Sequence, residues 1–461
     1  MSKKFWNLKG FGFLVYLILI EMCWILGTKI SEQLLDFMIA DGLNFYDIQF
    51  ADQFYNYAVA GTVLFWGVLI DRFNKRRKQI LVMANIIWII SALLLYVVPI
   101  TFITYLIVQI LFGVAFGANG PVLGSYLGDL FKINRRGTLF SVFTIFVYII
   151  KASAIGVTGL LGTVLENWRA PSLIFAVLAV IIIVLFAVKS QEPMLASVEP
   201  EFREKISEGF SYERRISFKE VVDVMKIPTN LLFLLQGVTG MIGVTTVTRY
   251  MNYWFISEET GMGMNQLSAT IILGAGAALG ALLGITIAGQ WIDKQFSKGH
   301  IKKTLYFAII SLFLQVIFYF VLTIILQYPD AIEPSYTGLV AIFQYYPVFY
   351  LFIVVFNVCS FFGTPIGTTV GVARTHVNLP EHRGTAAALY DLFDFIGSGI
   401  ALAIGGLLYS IFESNQLTIA IGSCFWLISG CLWVVILRFI DKDYTRLRNT
   451  MKARARNLPQ S

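Results

Sequence analysis

Twelve apolar runs of roughly bilayer length dominate this chain and leave it few folds to choose from. They fall at about 11–31, 53–70, 79–98, 102–130, 138–162, 171–188, 230–255, 267–291, 304–326, 341–372, 384–411 and 416–438. In hydrocarbon a backbone can satisfy its own polar groups only as helix or as a closed barrel. Runs of about 20 residues suit helices, whereas barrel strands need only about 10. Composition agrees, with 57% hydrophobic and only 14% charged residues, against about 25% charged in an ordinary soluble domain. The expectation is an all-α polytopic membrane protein with twelve transmembrane helices. Several runs are over length, which predicts tilts, kinks or extensions beyond the bilayer.

The net charge of +7 does not point to nucleic acid, because the basic residues are one-sided. All but four of the 35 Lys and Arg residues lie in the N-terminus, the even-numbered loops or the C-terminal tail, the exceptions being Lys29, Lys151, Arg169 and Arg249. The first odd-numbered loop carries Glu32, Asp36, Asp41, Asp47 and Asp52. The positive-inside rule then predicts that both termini are cytoplasmic. Lys3, Lys4 and Lys9 before an apolar run mimic a signal peptide, but the run is long and contains Glu21, so an uncleaved first span is expected. Cys23, Cys359, Cys424 and Cys431 all fall inside spans, which predicts core packing rather than disulfides or a metal site.

The chain repeats itself. Between spans two and three it reads Gly67-Val-Leu-Ile-Asp71-Arg72-Phe-Asn-Lys75-Arg76-Arg77-Lys78, and Gly289-Gln-Trp-Ile-Asp293-Lys294 stands between spans eight and nine. Arg136-Gly137-Thr138 opens span five as Arg383-Gly384-Thr385 opens span eleven, and Glu166 and Glu413 follow the same two spans. The predicted organisation is two six-helix pseudo-symmetric halves, 1–188 and 229–440. They are joined by a cytoplasmic linker, 189–228, and followed by a basic tail, 441–461. The linker reads as a solvated spacer, with an amphipathic stretch at 218–226 suited to the membrane surface.

An acidic-basic loop recurring in both halves of such a chain resembles the major facilitator superfamily over essentially its whole length. That resemblance implies a secondary transporter, with parallel repeats about an axis normal to the membrane and a solute site near the midplane. It also implies a cytoplasmic gate in which an Asp meets the positive end of a neighbouring helix. The residues matching that gate are Gly67, Asp71, Arg72, Arg76 and Arg136 in the first half, and Asp293, Lys294 and Arg383 in the second. The alternative is that these charges only set topology. Three departures stand out: Asn74 replaces the family's turn glycine, Gln109 replaces an Arg associated with proton handling, and span five lacks a Gly-Pro motif. The first leaves the turn possible, since Asn tolerates the left-handed conformation. The second weakens a simple proton-coupled assignment, and the third counts against an exporter.

Ionisable residues within spans are costly, about 2.5–3.5 kcal/mol each at a helix centre on insertion scales, and persist mainly beside a cavity or a partner. Glu21 follows Lys9 by 12 residues, which puts it about 18 Å deep in span one. Lys151 sits at similar depth in span five, and Asp391 and Asp394 share a face of span eleven. Glu21 is a candidate coupling group. Lys151, Asp391 and Asp394 are candidates for solute binding, with a structural Lys151–Asp394 pair as the alternative. Lys29 and Arg249, on spans one and seven, could converge on an anion or could snorkel to the headgroups. Tyr250 and Tyr253 are weaker candidates beside Arg249, in a run that resembles the organophosphate/phosphate exchanger branch. His300, His376 and His382 fall in loops and read as solvated residues, not as a metal site.

The function expected is alternating-access transport of a small polar, anionic solute such as a sugar acid or organophosphate, by exchange or by proton or cation coupling. Neutral sugar or polyol symport is the alternative, with multidrug export less favoured because cavity cations outnumber what that role needs. No nucleophile–base or metal constellation of an enzyme is visible at membrane depth, and no cofactor or metal is expected. A membrane sensor without flux is the non-transport alternative, although the longest polar stretch is too short for an output domain. The expected partners are the solute, a coupling proton or cation and the lipid bilayer, with the chain working as a monomer.

Overall fold

The computed structural model describes residues 11–28, 34–43, 45–202, 218–257 and 261–456, and Lys29 lies outside them. In chain order the helices are α1 (Phe11–Thr28), α2 (Leu35–Ala40), α3 (Phe45–Arg72), α4 (Arg77–Val97), α5 (Phe102–Phe116), α6 (Asn119–Leu130), α7 (Arg136–Val164) and α8 (Ala170–Lys189). They continue as α9 (Phe218–Met225), α10 (Pro228–Ile256), α11 (Gln266–Ser297), α12 (Tyr306–Phe320), α13 (Leu339–Tyr345), α14 (Val348–Gly363) and α15 (Pro365–Val377). The last four are α16 (Arg383–Phe412), α17 (Asn415–Ser423), α18 (Phe425–Ile436) and α19 (Ile440–Arg456). There are no strands among the described residues. Twelve helical segments are long and apolar enough to cross a membrane. Large apolar side chains such as Val97, Leu160 and Val188 stand more than half exposed on them, which hydrocarbon tolerates and water would not.

Contacts gather the chain into two compact units. One comprises residues 1–226, 374–392 and 446–461, and the other comprises 227–373 and 393–445. Within the first, α3 packs along α5, α1 along α8, and α4 along both α5 and α8. Within the second, α11 packs along α14, α10 along α18, and α12 along both α14 and α18. These are the same four pairings by position in each repeat. Backbone details repeat as well. The fourth span is broken between Phe116 and Asn119 and the tenth between Gly363 and Pro365, and the breaks begin 247 residues apart, at the offset of the paired Arg-Gly-Thr motifs. Glu166 and Glu413, also 247 apart, both hold positive φ, 49° and 47°, just past the ends of α7 and α16.

Glycine sets the tightest helix contacts. A Cβ on Gly113 of α5 would strike the carbonyl oxygen of Tyr55 on α3, and one on Gly280 of α11 would strike that of Asn357 on α14. Asn357 goes further and accepts a hydrogen bond from the Gly280 backbone N–H at 2.8 Å. In the first unit Asp41 accepts hydrogen bonds from Arg169 at 2.5 Å and Trp168 at 3.0 Å, which gives the lone basic residue of the odd-numbered loops its partner.

Candidate functional site

Two charged clusters stand out in the first unit. The first surrounds the loop that joins α3 to α4. Asp71, only 2% exposed, accepts hydrogen bonds from the backbone N–H of Gly384 at 3.1 Å and of Thr385 at 2.5 Å. These are free donors in the first turn of α16, where the positive end of the helix favours a carboxylate. The motif glycines make the approach possible. A Cβ on Gly384 would lie 2.7 Å from the Asp71 carboxylate, and one on Gly67, a turn earlier, would lie 2.5 Å from Ala388.

The arginines of this cluster are not all the ones the motif suggests. Arg72 and Arg76 are exposed, while Arg77 is buried. Arg77 donates to Asp129 at 2.8 Å, Ser125 at 2.9 Å and the Pro193 carbonyl at 2.6 Å, and its guanidinium lies 4.7 Å from the Tyr126 ring centroid. Arg383 shares Asp129, donating to its other oxygen at 2.8 Å. Arg383 also pairs with Glu199, as do Arg136 at 2.6 Å and Arg448 at 2.8 Å. Burial would push the Glu199 carboxyl up, but Arg136, Arg383 and Arg448 together hold it well below the usual carboxylate range. Glu199 falls in the stretch expected to be a solvated spacer, yet it is fully buried. His376 and His382 are buried too, and His376 sits on α15 beside these arginines; the expectation of solvated loop histidines does not hold. In the second unit Asp293 is half-buried and Lys294 exposed on α11.

The second cluster lies at the break in span four. Glu21 on α1 is buried and is hydrogen-bonded by the side chain of Asn119, the first residue of α6. Lys151, on an exposed face of α7, is the charge that acts on it. Asp391, near the start of α16, packs its carboxylate against the Cα of Gly120, leaving no room for a Cβ there. The opposite charge acting on Asp391 is Arg374, whose guanidinium stacks 4.6 Å from the Tyr390 ring centroid. Two carboxylates thus meet consecutive residues at one helix N-terminus, where aligned backbone dipoles favour negative charge. Lys151 is therefore brought together with Glu21. Asp394 belongs to the other unit.

In that second unit Arg249 lies exposed on α10, 5.6 Å from the Tyr253 ring centroid and 3.5 Å from its hydroxyl. Tyr250 stacks on Tyr409 of α16 with centroids 5.7 Å apart and rings inclined by 26°. Gly405 makes room for that stack, since a Cβ there would sit 2.7 Å from the Tyr250 ring. Arg249, Tyr250 and Tyr253 do form one group, and Tyr409 is a fourth member that sequence spacing did not show.

The sequence profile of the Major Facilitator Superfamily matches residues 17–335. The chain belongs to this superfamily. Among solved structures, a variant of the E. coli fucose:proton symporter FucP is similar at TM-score 0.66 and 13% identity, covering 94% of this chain and 99% of that one. A bacterial homologue of the iron transporter ferroportin, in an outward-facing state, is similar at TM-score 0.62 and 11% identity, covering 92% and 98%. At such identities the likeness establishes the fold. Among curated protein sequences none matches. This member of the superfamily is a multi-pass membrane protein, and Gln109 is buried and donates to Asp52 of α3 at 2.5 Å. Tyr105 donates to the same Asp52 oxygen at 2.9 Å. Among the described residues no group of three His, Cys, Asp or Glu could hold a metal ion.

Proposed function

We propose that this transporter moves a small polar, anionic solute by alternating access, coupled to a proton through Glu21. The observation that carries the reading is the grouping of buried Glu21, Asn119 and exposed Lys151 at the broken fourth span. An acid at this depth is costly unless it faces a partner or serves transport. An anion that engages Lys151 removes the cation that Glu21 otherwise feels, so anion binding and proton binding reinforce each other, and by linkage the effect is reciprocal. Arg249, with its planar fork beside Tyr250, Tyr253 and Tyr409, offers a second anion contact. The one-sided Lys and Arg residues support an orientation with both termini in the cytoplasm. The Asp71 cluster then serves as the cytoplasmic gate.

The test is a thermal-shift panel of sugar acids, sugar phosphates, inorganic phosphate and neutral sugars, followed by flux in proteoliposomes. A ligand specific for the folded state adds about 2.7 kcal/mol at a hundredfold excess over Kd. Stabilisation by an anion that disappears in Lys151→Ala supports the reading. So does Glu21→Gln that exchanges solute but no longer accumulates it against a pH gradient. Stabilisation by neutral sugars alone, unaffected in Lys151→Ala, defeats it. A second reading, neutral sugar or polyol symport, is favoured by a cavity of about 680 Å³ in the second unit lined by Trp254, Gln327, Asp330, Glu413 and Gln416, with no Lys or Arg among the described residues of its walls. Aromatic, carboxylate and amide groups without a cation suit hydroxyls better than anions, and the FucP neighbour is a fucose:proton symporter.

A further inference from the structure

We infer that the gate is held shut by a carboxylate from outside the membrane spans, Glu199, and that residues 192–202 and helix α19 are working parts of it. The inference rests on the transport reading above and concerns the positioning of the gate, not the solute.

Glu199 is the one point at which arginines of α7, α16 and α19 meet: Arg136, Arg383 and Arg448 all bond its carboxylate. Arg136 is fully buried, its Nε and Nη1 have no hydrogen-bond partner, and among the described residues Glu199 is the one acid paired with it. Buried guanidinium groups gathered this closely are tolerable only around a carboxylate. Arg383 directly precedes Gly384 and Thr385, the residues whose N–H groups dock on Asp71. By fixing Arg383, Glu199 fixes the first turn of α16 beneath Asp71.

The segment that carries Glu199 is itself stitched down. Arg77 donates to the Pro193 carbonyl at 2.6 Å, the Lys78 N–H donates to Glu192 at 3.2 Å, and the Ala196 N–H donates to Asp129 at 3.2 Å. Leu447 and Met451 of α19 pack against Leu195, Ala196 and Phe202. Loss of that carboxylate takes the salt bridge from fully buried Arg136 and leaves Arg383 and Arg448 with one acid each, Asp129 and Glu201, so the three-cation contact has two discrete conditions, made or broken. Such bistability is what a gate requires.

The experiment introduces Leu389→Cys, at a buried position one turn beyond the Asp71 contact, into full-length protein whose only native cysteine is Cys359, kept as a buried internal control. Modification by a polar maleimide in detergent is followed by mass spectrometry. Glu199→Gln and Arg448→Ala should each raise the labelling rate at position 389 by about tenfold or more, the scale of a shifted two-state population. Cys359 should stay protected, Glu199→Asp should restore much of the slow rate, and Glu199→Gln with Arg448→Ala should add little to either alone. Unchanged labelling at 389 in a folded Glu199→Gln protein overturns the inference. Equal acceleration at Cys359 overturns it too, since that means general loosening. Should Glu199→Gln fail to fold, Arg448→Lys and Arg448→Ala decide by the same two rates. No solute enters this test, so its failure is separate from failure of the transport reading.

Discussion

Glu166 and Glu413 end repeat-related helices in a left-handed conformation that costs an L-residue about 1–2 kcal/mol and glycine almost nothing. Glu166→Gly and Glu413→Gly should therefore each stabilise the protein by about 0.5–1 kcal/mol after the flexibility glycine adds to the unfolded chain. A rise in thermal midpoint checks this, and a fall would mean that the carboxylates make contacts worth more than the strain. Glu199 gives a pH prediction. A carboxyl held below its unfolded value contributes stability that is fully present above that value, about 4.3, and is lost as pH falls toward the folded one. The difference in midpoint between the wild type and Glu199→Gln should accordingly be flat from about pH 8 to 5 and shrink below about 4. Sequence placed Asp71, Arg136 and Arg383 among the gate residues, and all three are buried in one network. It also named Arg72 and Arg76, which are exposed, and passed over buried Arg77, because in a run of adjacent basic residues the direction of each side chain depends on where the helix begins. The extra turn at Asn74–Arg76 aims Arg77 inward. Glu199 and Arg448 were invisible for a different reason: in polar stretches nothing marks one charged residue for burial.

Among the helices, the shared break in the fourth and tenth spans shows how a repeat constrains function. Asn119 opens α6 and supplies the hydrogen bond to Glu21, whereas Pro365 opens α15, its missing N–H costing nothing at a helix start. Among the described residues, one half thus carries an acid site at the break and the other does not. The matched helix pairs α3/α5 and α11/α14 depend on glycine in the same way. Gly113→Ala and Gly280→Ala should each destabilise the protein by about 1–3 kcal/mol, because the intruding methyl meets backbone that cannot step aside. Thermal midpoints of the purified variants measure it, and loss in only one of them would show that the two pairs are not equivalent in strength. The over-long apolar runs at 102–130 and 341–372 predicted kinks. Gly117 stands at the first break, but no glycine or proline pattern distinguishes that one from the unbroken stretches, so the exact position follows from packing against the neighbouring helices.

For the molecule as a whole, orientation is the prediction that sequence charge makes and that flux experiments require. A fluorescent protein fused after Ser461 should fluoresce in cells, and a phosphatase active only outside the cytoplasm should be silent there. The reverse pattern would put the Asp71 cluster on the outer side. Twelve spans, a two-fold repeat of six spans and membership of the superfamily follow from local properties: run length against bilayer thickness, and motifs repeated at a fixed offset. Those properties survive in the linear chain because insertion is decided segment by segment. Which acid touches which base does not survive there. The convergence of Glu199 on three arginines, of Glu21 and Asp391 on one helix start, and of Tyr409 on Tyr250 joins residues from tens to hundreds of positions apart. These contacts exist only once helix faces, breaks and close glycine approaches have fixed the side chains in space.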